Sequence, residues 1–94
     1  MPDALSDLRG IYEHIRADNP QAAVRVAKEI RASTRHLSRL PLMGRVVPEM
    51  EDFALREIIT GPYRVIYLIL GDHIEVIAVV HGARDFPSFW RDRQ

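Results

Sequence analysis

The second half of the chain, Arg56 to Asp85, constrains the fold more than any other stretch. It reads R-E-I-I-T-G-P-Y-R-V-I-Y-L-I-L-G-D-H-I-E-V-I-A-V-V-H-G-A-R-D. Three β-type runs are separated by two turn signals and close on a cluster of His and Arg. Ala54–Thr60 is the first clear strand, Gly61-Pro62 a turn, and Tyr63–Leu70 the second strand. Gly71-Asp72 makes a tight hairpin, although it lacks the favoured Asn-Gly order, and His73–His81 is the third strand. Loops of two residues join antiparallel neighbours, so the three strands form a meander. Tyr63–Leu70 is apolar on both faces, as a strand at the centre of a sheet would be.

Two amphipathic segments precede the strands. Leu5, Leu8, Ile11, Tyr12 and Ile15 recur at helical spacing from about Pro2 to Ala17. Asn19 is placed to cap a second helix and Pro20 to occupy its first position, with the helix running to about Arg39. Ala23, Val26, Ala27, Ile30, Thr34 and Leu37 share its apolar face. The short link makes an αα-hairpin. Leu40 to Arg45 holds a Pro and a Gly and breaks the helix. Val46 to Phe53 reads as loop or irregular edge, and its acids Glu49, Glu51 and Asp52 as solvated. The hairpin has an apolar stripe and the meander has a face that needs cover. Packing one on the other gives a two-layer α+β domain, expected to be a single domain over residues 1–94.

Composition narrows the functions open to such a domain. The formal net charge is zero, which argues against nucleic-acid binding by bulk charge but leaves room for a local patch. Lys28 is the only lysine among 13 basic residues, and arginine is the side chain suited to bidentate contact with phosphate or carboxylate. A GC-rich genome would produce the same bias. The chain has no Cys, so neither a disulfide framework nor a Cys-based metal site is open to it. The opening residues lack the basic and apolar regions of a secretory signal, and Val65–Leu70 is too short to cross a bilayer. The expected compartment is the cytoplasm.

Several segments, in order and over nearly the whole chain, resemble the RelE/ParE toxin superfamily. They are A-x-x-D-L-x-x-I-x-x-x-I (Ala4 to Ile15), D-N-P-x-A-A (Asp18 to Ala23), L-x-x-L-P-x-x-G-R (Leu37 to Arg45), R-E-I-I (Arg56 to Ile59), P-Y-R-V-I-Y (Pro62 to Tyr67) and V-x-H-G-A-R-D (Val79 to Asp85). The resemblance implies the toxin of a bacterial toxin–antitoxin module of type II, needing no cofactor and neutralised by a cognate antitoxin. ParE-like members inhibit DNA gyrase; RelE-like members cut messenger RNA in the ribosomal A site. The chain looks closer to the ParE branch, often labelled plasmid stabilisation proteins. RelE-type lysines are absent from the strands, and no Tyr follows the last one. The family usually begins with a short strand before the first helix, and here that strand is missing. A start set too late, a trimmed chain and a shortened member are the alternatives. In each, the sheet is expected to keep one more bare edge, covered by an antitoxin strand or a second copy.

Arg56, Arg64, His81 and Arg84 are the candidate site residues. If Arg64, His81 and Arg84 converge, they suit a phosphodiester: Arg stabilises developing charge and His transfers a proton near neutral pH. That is the ribonuclease reading. The structural alternative is that these residues hold the sheet's exposed face together through Asp85, Glu57 and Glu75. In the ParE-like reading Arg56, Arg64 and Arg84, with Phe86 and Trp90, are a surface for a protein partner. Phe86, Phe89 and Trp90 either close the core or stay exposed as an anchor. Tyr63 and Tyr67 are read as core residues with hydroxyls at the rim. His14, His36 and His73 are scattered, and neither they nor His81-Gly-Ala-Arg84-Asp85 has metal-ligand spacing. Gyrase or ribosome as target, and homodimer or toxin–antitoxin hetero-oligomer as assembly, stay open.

Overall fold

A computed structural model describes residues 2–82 together with Pro87 and Arg91. Two helices come first, α1 (Pro2–Asp18) and α2 (Pro20–Arg39). Asn19 separates them in extended geometry, and its side-chain oxygen accepts from the amide of Ala22 at 3.1 Å. That bond satisfies one of the donors a helix start leaves over, and Pro20 occupies the next position, where a missing N–H costs nothing. A 3₁₀ turn, Pro41–Met43, follows α2.

The sheet has four antiparallel strands in chain order: β1 (Arg45–Val46), β2 (Leu55–Thr60), β3 (Tyr63–Leu70) and β4 (His73–His81). The expected three-stranded meander is β2 to β4, and β1 is added to it. Arg45 and Val46 pair with Glu57 and Arg56, a contact two residues long that no local pattern announces. Gly61 and Gly71 open the two hairpin loops with φ of +58° and +61°. Positive φ at the first loop position alone is the II′ geometry, which explains why Gly comes first rather than second.

Both faces of the sheet bury apolar side chains. On the helix side Ile30, Val65 and Val79 form the core, with Leu8, Ile11 and Val26 packed against them. On the far side Val47, Leu55, Ile66, Ile77, Ala78 and Val80 cluster, with Met50 and Leu68 alongside. The sequence-based reading of one face in need of cover was therefore incomplete. The segment between β1 and β2 is no solvated loop at Val47, which is fully buried on the far face. Leu5, by contrast, leaves the expected stripe of α1 and is 61% exposed.

Candidate functional site

The far face of the sheet carries a compact ionic network. Opposed residues of antiparallel strands share a face, so Arg45, Glu57 and Arg64 all point to this side. The Glu57 side chain has no exposed surface. Arg45 donates to its Oε2 at 2.7 Å, and Arg64 donates from Nε to its Oε1 at 2.8 Å and from Nη2 as well. Arg64 also grips Glu49 with a bidentate fork, both bonds 2.9 Å long. These bonds hold the Glu49 carboxyl below its ordinary range and raise Arg64 above its own, the mutual hydrogen bonding being the largest cause in each case. A phosphate would have to displace Glu49 to reach this guanidinium.

Arg56 lies on the helix side, opposite Tyr67. Its Nε donates to the Phe53 carbonyl at 3.0 Å and its Nη1 to the Gly44 carbonyl at 2.9 Å, while the guanidinium sits 4.4 Å from the centre of the Phe53 ring. Tyr67 donates to the Pro41 carbonyl at 2.5 Å and accepts from the Gly44 amide at 3.0 Å. Burial raises the Tyr67 hydroxyl above its usual range. Tyr67 is wholly buried, so its hydroxyl sits inside the fold rather than at the rim. Arg56 and Tyr67 lock the chain between α2 and β1 onto the sheet.

His81 is elsewhere. It pairs with Tyr63, its ring edge-on to that tyrosine with centroids 6.0 Å apart. Arg64 pairs with Val80, so Arg64 and His81 point to opposite faces. The cause is one residue. From the Gly71-Asp72 loop the pairing runs evenly to Tyr67–Val76, then jumps to Ile66–Ala78, leaving Ile77 as an extra residue in β4. Without that bulge the two side chains would share a face; a one-residue slip reverses every side chain beyond it. Arg84, Phe86, Phe89 and Trp90 lie outside the described residues, as does Asp85.

Two of the open clefts along α1 bear on function. One, of about 430 Å³, gathers Asp7, His14, Tyr63 and His81. In the sequence His14 is one of several scattered histidines; its signal is the spacing of Asp7, Gly10 and His14, one face of a helix. At this cleft the Asp7 carboxylate accepts from the backbone amide of Val79 at 2.9 Å, so α1 satisfies part of the outer edge of β4. The other cleft, of about 510 Å³, runs between the helices. Leu5, Leu8, Tyr12, Val24 and Ala27 supply its apolar wall, and Arg9, Lys28 and Arg31 are basic residues on its lining. Among the described residues no three His, Cys, Asp or Glu side chains gather as a metal would require, and no helix is long and apolar enough to cross a membrane.

The family model for the ParE toxin of the type II toxin–antitoxin system, parDE, matches residues 1–86. The chain belongs to the ParE toxin family. No curated protein matches this ParE-family toxin. Among solved structures it is similar to a chain of the chromosomal ParDE TA system from P. aeruginosa, with a TM-score of 0.73 and 20% identity. The match covers 86% of this chain and 89% of that one. At that identity the likeness speaks for the fold, which agrees with two helices on an antiparallel sheet.

Proposed function

We propose that this ParE-family toxin acts by binding a protein target, DNA gyrase, in the cytoplasm, and that a cognate antitoxin holds it inactive. The observation that carries the binding reading is the state of Arg64. Its guanidinium is already engaged by Glu57 and Glu49, with hardly any of the side chain exposed. Arg56 is likewise engaged by two backbone carbonyls. Side chains so engaged position a segment; they do not offer a phosphodiester an open charge. The groove between α1 and α2 is the proposed seat of the antitoxin. Leu5 and Val24 are exposed on it, and large apolar side chains with a polar surround are what a partner helix buries.

The second reading is messenger RNA cleavage. What favours it is the cleft that His14, Tyr63 and His81 all line, since His and Tyr are side chains that serve in general acid–base catalysis. A DNA-damage reporter separates the two when the toxin is expressed without antitoxin. Growth arrest with a strong signal supports gyrase poisoning. Arrest without a signal rejects it and points to the ribosome. Healthy cells reject both.

A further inference from the structure

The charge of this chain is balanced overall and sharply divided in space. Helix α2 carries Arg25, Lys28, Arg31, Arg35 and Arg39 against a single acid, Glu29, in a chain of zero formal net charge. The five cations recur at steps of three or four residues, so they form one stripe. At about 100° per residue they fall within an arc of about 120°, opposite the buried Ala23, Ile30 and Leu37, and the stripe is about 21 Å long. All five are exposed, and among the described residues none has a carboxylate within salt-bridge distance.

We propose that this stripe is a docking surface for the phosphate backbone of duplex DNA, contacted without regard to sequence. The chemistry on the arc is that of a phosphate reader: four guanidiniums and one ammonium, which donate hydrogen bonds and accept none. A protein partner needs an apolar anchor; within α2 the exposed large apolar side chain, Val24, lines the groove instead, and the exposed Leu40, Leu42 and Met43 lie past the helix's C-terminal end rather than along the stripe. Single strands are bound by stacking their bases on aromatic rings, and no aromatic residue falls on this arc. Duplex RNA is recognised partly through its 2′-hydroxyls, which both donate and accept, and a row of pure donors uses only half of that capacity. A helix held by its opposite face, through Ala23, Ile30 and Leu37, keeps the backbone that carries these cations in one line. Such a line complements a rigid polyanion whose dense charge, one about every 1.7 Å of duplex axis, offers each cation a phosphate along its length. The proposal stands apart from the gyrase reading, since it concerns α2 alone. Lys28 and Arg31 also line the groove, so an antitoxin seated there would mask the middle of the stripe.

Fluorescence anisotropy with the full chain, freed of antitoxin, and a labelled mixed-sequence duplex tests it. With five phosphate contacts the log–log salt slope is expected near about −4.5, a loss of about 500-fold in affinity between about 50 and 200 mM salt. Arg35 and Arg39 lie outside the groove, so the double variant Arg35→Gln/Arg39→Gln should flatten the slope by about 2 and leave antitoxin affinity unchanged. Circular dichroism confirms that the variant is folded; if it is not, Arg25→Gln alone, near the other end of the stripe, should flatten the slope by about 1. No binding at low salt, a slope the variants do not change, or tighter binding to single strands or to duplex RNA would each overturn the proposal. Displacement of the duplex by an acidic peptide at matched charge would do the same, marking the stripe as a protein site.

Discussion

Arg64 on β3 reaches diagonally to the buried carboxylate of Glu57 on β2, with Nε 2.8 Å from Oε1, and the same guanidinium holds Glu49 of the β1–β2 segment. The pair joins two strands and a loop through one planar group. Its geometry matters because a charge taken out of water must be matched by partners. Removing the carboxylate takes away the fully buried member of the network, leaving Arg64 with Glu49 and Arg45 without the Glu57 bond. Glu57→Ala is expected to cost about 1.5–3 kcal/mol, the scale of lost hydrogen bonds to a charged group. Urea unfolding measures this, and a cost below about 1 kcal/mol would show that water reaches the network.

The Glu49 carboxyl is held below its ordinary value of 4.5, chiefly by the hydrogen bond from Arg64. A depressed carboxylate binds its proton more readily in the unfolded chain. Its contribution to stability is therefore complete above the ordinary value and is lost as pH falls through the folded one. Stability should drop in that acid window, and Glu49→Gln should make the drop shallower. Unfolding midpoints that fall equally in both proteins would rule Glu49 out as a cause.

Gly44 allows no side chain. A Cβ there would stand 2.5 Å from the Tyr67 hydroxyl and 2.6 Å from the Glu57 carbonyl oxygen. Gly44→Ala should cost about 1–3 kcal/mol by forcing these apart. Tyr67→Phe should cost a similar amount, about 1–3 kcal/mol, by leaving the Pro41 carbonyl and the Gly44 amide without their partner. The two changes share one contact, so the double variant should cost less than the sum. Thermal unfolding of all three variants tests the coupling, and strict additivity would refute it.

Asp7 guards the amide of Val79 on the outer strand of the sheet. Asp7→Ala should speed hydrogen exchange at that amide by roughly tenfold or less, the worth of about 1 kcal/mol, while Asp7→Asn keeps an acceptor and should change it little. The exposed edge should also raise self-association at high concentration. Equal exchange in all three proteins would show that the contact is not formed in solution.

Leu5 and Val24 are exposed on the α1–α2 groove, so charging them should not disturb the fold. Leu5→Asp and Val24→Asp are each expected to weaken antitoxin binding at least about tenfold, the scale of a lost interface anchor, with an unchanged melting temperature. Calorimetric titration of purified antitoxin into each variant decides this. Wild-type affinity in both would place the antitoxin elsewhere.

Much of the fold was legible locally. Asn19-Pro20 marked the junction of the helices, Gly61 and Gly71 the hairpins, and the apolar runs gave β3 and β4 the bounds observed. The site was less legible. Glu49 looked like one acid in a solvated run, because nothing near it in sequence shows that Arg64, 15 residues away, folds over it. The strand Arg45–Val46 has no pattern of its own and exists only because β2 offers it an edge.

The sequence by itself determined the two helices, the strands β2 to β4, their order and the spacing of the basic residues along α2. These rest on periodicity, capping and turn chemistry, which act within a few residues. Tertiary structure decided which side chains meet. Counting evenly from the Gly71-Asp72 turn puts Arg64 and His81 on one face, and the extra residue at Ile77 sends them to opposite ones. Register beyond a bulge is set by how the two faces pack, a long-range balance that no short window of sequence contains.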